Sequence, residues 1–149
     1  MKNKITPALL GLLLAGATSC KESSDNEPKP SSNYRVFLSV KSPAPGTTSP
    51  RELRSTDSEE YSCANYELLT TLQRQGNTLR LDYTGAKAPE ICLTALGPAF
   101  SLTSLQELPA QRYDLHITVK GRHTTGVLDL TTSPIQLSIA DTTVAAVRP

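Results

Sequence analysis

The chain has 149 residues, 38% hydrophobic, 19% charged and only 5% aromatic, with 15 Lys and Arg against 14 Asp and Glu for a formal charge of +1. That near-balance gives no electrostatic footprint for nucleic acid, which needs a net basic surface or stripe, and the length suits one domain. No apolar run of 18 residues follows the N-terminal segment, so nothing beyond it reads as a membrane-spanning helix.

Lys2 and Lys4 precede an apolar stretch from Ala8 to Ala17, and Ala17-Thr18-Ser19-Cys20 follows. A charged start, a short apolar middle and small residues before a cut site describe a secretory signal. With the Cys in that place, residues 1–19 and Cys20 resemble a bacterial lipoprotein signal and its lipobox. The resemblance implies cleavage before Cys20 and acylation of that cysteine, palmitate included. Several acyl chains meet the need for more than one anchoring signal. A plain signal peptide with an incidental Cys is the competing reading. Residues 21–33 carry no aliphatic or aromatic side chain and read, with Cys20, as a flexible tether over 20–33. The Ser-Cys-Lys-Glu start, with acidic residues close behind, is similar to lipoproteins of the Bacteroidota. That implies the outer membrane, on its cell-surface or periplasmic face.

Residues 34–149 read as one β-domain. Tyr34, Val36, Leu38 and Val40 alternate on one face of a first strand. Phe37 points the other way, so either this strand is buried on both sides or Phe37 marks a contact patch. A polar stretch from Lys41 to Glu60, with Pro43, Pro45 and Pro50, is expected to be a long loop, disordered or functional. Cys63 and Cys92 remain once Cys20 is acylated. An exported chain with two remaining cysteines favours a Cys63–Cys92 disulfide, worth about 3–4 kcal/mol for a loop of that length. Catalytic use of either Cys with a His is the sharper alternative, but no supporting motif accompanies it.

Leu68, Thr70 and Leu72 share a phase, as do Leu79, Leu81 and Tyr83 beyond Gln75-Gly76, which predicts a hairpin pairing 72 with 79, 70 with 81 and 68 with 83. Residues 91–96 and 99–105 read as strands around Gly97-Pro98. Tyr113, Leu115, Ile117 and Val119 alternate up to a Gly121-Arg122 turn. Thr124, Gly126, Leu128 and Leu130 are expected opposite Val119, Ile117, Leu115 and Tyr113. Ile135, Leu137 and Ile139 make a further strand, and no segment shows sustained helical periodicity.

Seven or eight such strands predict an all-β, antiparallel Greek-key sandwich. The run Leu108-Pro109-Ala110-Gln111-Arg112-Tyr113-Asp114-Leu115 resembles the Greek-key corner of immunoglobulin-like and fibronectin-type domains. The resemblance implies that Tyr113 is a tyrosine corner, its hydroxyl bonded to backbone a few residues upstream. With no Trp in the chain, the antibody-type Cys…Trp…Cys core is missing.

Candidate chemistry is thin. The second hairpin register would set Asp114 opposite Asp129 with His116 beside them, three residues able to ligate a divalent cation; an ordinary solvated face is the rival reading. The same register pairs His123 with Lys120 and keeps the two imidazoles ~13 Å apart. No phosphate loop, nucleophile elbow or paired-His motif occurs, so no catalytic residue and no cofactor is expected. Few aromatics are available as a carbohydrate platform. Asp141-Thr142-Thr143 resembles the O-glycosylation sequence of Bacteroidota. The function expected is a lipid-anchored envelope protein with a non-catalytic binding or accessory-subunit role and an envelope protein as its possible partner. Two rivals are a protease inhibitor acting through residues 41–60 with Arg51 and Arg54, and a hydrolase with an unrecognised site.

Overall fold

A computed structural model describes residues 33–41 and 50–148. The signal, Cys20 and all but the last residue of the expected tether lie outside the described residues. Among the described residues nine strands form in chain order: β1 Val36–Lys41, β2 Glu52–Asp57, β3 Glu67–Gln75, β4 Thr78–Lys87, β5 Phe100–Ser104, β6 Arg112–Val119, β7 Arg122–Asp129, β8 Gln136–Ile139 and β9 Ala145–Val147. Among the described residues no helix is long and apolar enough to cross a membrane. The domain is all-β, as the alternation predicts.

One sheet holds all nine strands in the order β8-β7-β6-β4-β3-β5-β2-β1-β9. Its two edge strands come together through residues 140–144, and the sheet is nearly closed into a barrel. The inward faces of β1, β4 and β6 carry the regular alternation: Tyr34, Val36 and Leu38, then Leu79, Leu81 and Tyr83, then Tyr113, Leu115, Ile117 and Val119 are all buried. The Ser55 and Tyr83 hydroxyls meet at 2.8 Å across this interior, joining β2 to β4, which are not neighbours in the sheet. Burial pushes the Tyr83 phenol well above its ordinary range, so it stays neutral.

The expected antiparallel Greek-key sandwich of seven or eight strands is corrected here. β4 pairs β6 in parallel over Thr78–Tyr83 and Asp114–Val119, and β1 pairs β9 in parallel. The chain leaves β4 at one end of the domain and passes through β5 before β6 begins at the other, so β6 runs alongside β4. Alternation reports which face is buried but not the direction of the neighbour.

Both hairpins form with registers displaced by two residues from expectation. In the first, Gln75 pairs Thr78, which sets Leu72 against Leu81 and Thr70 against Tyr83 before a bulge at Leu69/Thr70. Gly76 takes φ +60° as the first of two turn residues, the II′ arrangement. In the second, Val119 pairs Arg122 and Ile117 pairs Thr124. Its turn residues Lys120 and Gly121 both have positive φ, 47° and 80°, an I′ turn. Lys120 is held there by its neighbours: its amide donates to the Tyr83 carbonyl and its ammonium sits 4.0 Å from the centre of the Tyr34 ring. A shift of two keeps every side chain on its face, so the hydrophobic pattern tolerates either register and turn geometry decides.

Two further expectations change. The stretch 41–60 is not one loop, because its residues 52–57 are β2, hydrogen-bonded between β1 and β5. Residues 91–96 are not a strand. They belong to a loop flanked by Pro89 and Pro98 that finds no ladder partner beyond the single Tyr61–Gly97 bridge.

Candidate functional site

The proposed cation site does not assemble. The register places Arg112, not Asp114, opposite Asp129, and Asp114 opposite Val127. The Asp129 carboxylate turns instead to its own loop, accepting from the Thr131 hydroxyl at 2.5 Å and the Thr131 amide at 2.9 Å. Those two bonds, with a smaller contribution from Arg112, hold its carboxyl below the ordinary range. Among the described residues no three acidic, His or Cys side chains gather in a way that suits a metal.

The same register brings the two histidines closer than expected. His116 pairs Thr125 and Thr118 pairs His123, which makes His116 and His123 diagonal neighbours, about 7–8 Å apart. The His123 Nδ1 lies 3.0 Å from the Thr118 hydroxyl. Strand alternation carries this polar face across four strands. Thr71, Asp82, Thr118 and His123 form one row, and Gln73, Arg80, His116 and Thr125 the next. Two open concavities of about 400 Å³ and 320 Å³ lie on this face, and His116, Thr118 and His123 border both. The arrangement supplies hydrogen-bond donors and acceptors to a polar ligand at the surface.

A second feature sits at the end of the domain where β1 begins. Asp57, only 2% exposed, ends β2 and accepts from the Tyr34 hydroxyl at 3.1 Å, the Tyr61 hydroxyl at 2.7 Å and the Ala99 amide at 3.1 Å. Burial raises its carboxyl above the ordinary 3.8, against the opposing pull of those hydrogen bonds. Burial together with Asp57 pushes both phenols well above their usual range. Every donor aimed at Asp57 is therefore neutral, and the cluster ties four segments together. Sequence reading missed Asp57. Its face of β2 reads Leu53, Ser55, Asp57, period two but mostly polar, so apolar alternation could not reveal a buried strand.

Beside this hub the Cys63–Cys92 disulfide closes as expected, with Cα atoms 5.2 Å apart. Asn65 clamps the same loop from both sides. Its amide donates to the Ile91 carbonyl at 2.7 Å, and its oxygen accepts the Leu93 amide at 3.0 Å. The Tyr61 and Gly97 backbones exchange two hydrogen bonds, and the Tyr61 ring stacks on Tyr66 at 4.4 Å. This loop nonetheless turns Ile91, Leu93 and Leu96 outward, at 79%, 59% and 69% exposure. Large side chains left in water on a pinned backbone point to a surface meant to be covered.

No family model, curated protein or solved structure matches the chain.

The remaining expected residues fall as follows. The Tyr113 hydroxyl donates to the Pro109 carbonyl at 3.0 Å, the contact its resemblance implies. Arg51 is spent on the Leu108 carbonyl at 3.1 Å, and Arg54 lies within β2 over the Phe100 ring. Neither is offered on a free loop as inhibition would require. Phe37 lies under the guanidinium of Arg148 at 3.7 Å, with that of Arg35 at 4.8 Å, rather than in a second core or an open patch. Asp141 accepts from the Thr143 hydroxyl and amide, which lowers its carboxyl; these bonds do not involve the Thr142 hydroxyl, the one in the second position of the glycosylation-like triplet.

Proposed function

We propose that the chain is a lipid-anchored cell-envelope protein, held to the outer membrane through Cys20, whose β-domain is a non-catalytic binding module or accessory subunit. The observation that carries this reading is the run from Lys2 and Lys4 through Ala8–Ala17 to Ala17-Thr18-Ser19-Cys20. The Cys63–Cys92 bridge supports it, since disulfides belong to compartments outside the reducing cytosol. The Tyr113–Pro109 bond supports an immunoglobulin-like corner within the domain, with the parallel β4–β6 pair as a departure from that pattern. The histidine-bearing face of β3, β4, β6 and β7 is the surface suited to a polar ligand.

Growth with labelled palmitate, followed by fractionation of the envelope, tests the anchor. Label on the wild-type chain in the outer-membrane fraction, lost together with membrane association in Cys20→Ala, is the expected result. An unlabelled or freely soluble wild-type chain overturns the reading. Affinity purification from detergent-solubilised envelope then tests the accessory role through a stoichiometric partner, and a chain recovered alone removes that role.

A further inference from the structure

We propose that the disulfide-clamped loop 88–98 lies on the lipid bilayer, seating Ile91, Leu93 and Leu96 in its interfacial region. This inference rests on the lipid-anchor reading above and names the surface through which the anchored domain meets its membrane.

Composition is the first support. Ala88 to Pro98 contains one charged side chain, Glu90, and its three largest apolar residues are the three most exposed large hydrophobics among the described residues. The backbone is fixed before any contact is made. Cys92 is tied to Cys63, both faces of Asn65 hold residues 91 and 93, and Gly97 is bridged to Tyr61. A loop already held in one shape loses little conformational freedom on docking.

Placement is the second and deciding support. Tyr34, at the start of the described chain, bonds Asp57, and Asp57 in turn holds the Ala99 amide just past the loop. The chain arriving from Cys20 therefore enters the domain at the same pole as the exposed leucines. Twelve residues, 21–32, separate Cys20 from Asn33, a span of at most about 45 Å. An acylated Cys20 thus ties the domain to the bilayer from this pole and not from the opposite one. Lys87 at this end lies directly across from Glu67, so contact with the bilayer rests on the apolar side chains rather than on charge. The opposite pole, at the Gly76-Asn77 turn, lies about 30 Å away along the ten residues of β4. Apolar side chains at the near pole and a polar turn at the far one give the domain an orientation.

The chain has no Trp, so a single introduced one reports on its own surroundings. The full chain with its own N-terminal segment, carrying Leu93→Trp or Leu96→Trp, is purified in detergent and reconstituted into phosphatidylethanolamine–phosphatidylglycerol vesicles. Flotation and Trp fluorescence are read together, with Asn77→Trp as the far-pole comparison. The expected result is a blue-shifted loop Trp whose emission falls to about half with lipids brominated high on the acyl chain, while the Trp at position 77 is unaffected. A protein that floats with its loop Trp unshifted and unquenched overturns the loop contact and leaves the anchor standing. A blue-shifted but unquenched loop Trp assigns the surface to a second copy of the chain, the only protein in these vesicles, and also overturns it. A wild-type chain that does not float at all overturns both readings.

Discussion

The two poles of the domain are built by different means. At the Gly76–Asn77 pole, a tight turn and single hydrogen bonds do the fastening: Gly76 at φ +60°, Gln111 on Asn77 at 2.9 Å, Tyr113 on the Pro109 carbonyl. At the other pole, a covalent bond and multiply shared groups take over: a disulfide, a buried carboxylate accepting from two tyrosines and the Ala99 amide, and the Asn65 clamp with two bonds to one loop. The contrast teaches that the second pole carries a burden the first does not. It must hold an irregular loop rigid while that loop leaves three large apolar side chains in water.

Breaking the covalent link should give the largest effect. Cys63 and Cys92 are 29 positions apart, and in the chain-entropy model closing such a loop is worth about 3–4 kcal/mol. Cys63→Ser with Cys92→Ser should lower the unfolding free energy by that amount and release the loop. Amide hydrogen exchange should then accelerate at Ala64 and Leu93, while the β6–β7 ladder stays protected. Equal acceleration in both regions would mean that the poles are not independently built.

Next in size is the polar hub. Asp57→Ala leaves the Tyr34 and Tyr61 hydroxyls and the Ala99 amide without their acceptor, a loss of about 3 kcal/mol measured by urea denaturation. The pH dependence has a definite sign. The folded Asp57 carboxyl titrates above its ordinary 3.8, so between those two values the native state binds the extra proton. Stability from this group therefore rises as pH falls through that window. Asp129 and Asp141, held below the ordinary range, act in the opposite sense and lose their contribution at lower pH still. Asp57→Asn should abolish the upper part of the profile and leave the lower part in place.

These two features show what the amino-acid pattern could reveal. Strand positions on β1, β4 and β6 were legible because Val36 and Leu38, Leu79 and Leu81, and Leu115 and Ile117 repeat with period two. The Cys63–Cys92 pair was legible from compartment and count, and Tyr113 from its local run. β2 was not, since Ser55 and Asp57 face inward through hydrogen bonds rather than hydrophobicity. Hairpin registers were off by two because parity alone cannot separate alternatives that bury the same face. The cation site fell with that register. Loop 91–96 was misread because Ile91, Leu93 and Leu96 look like strand residues, and nothing local says that they stay exposed.

Tyr113→Phe offers a smaller effect at the far pole. Removing one hydroxyl that donates to the Pro109 carbonyl should cost about 1 kcal/mol in urea denaturation, with the ring still buried. Loop exchange at Leu93 should be unaffected. A slower or faster loop would show that the corner and the clamp communicate through the sheet.

The smallest effect is the most telling for the comparison. Ile91→Ser, Leu93→Ser and Leu96→Ser together remove three large apolar side chains, a change that inside a core would unfold a domain of this size. Here those side chains are mostly in water, while the hydrogen bonds at residues 91 and 93 run through backbone atoms that the substitutions leave intact. The triple variant should keep its unfolding free energy within about 0.5 kcal/mol of wild type and keep its disulfide. A large loss of stability would mean that the leucines belong to the fold. An unchanged unfolding free energy leaves them with no work to do inside the molecule and free for the bilayer contact proposed above.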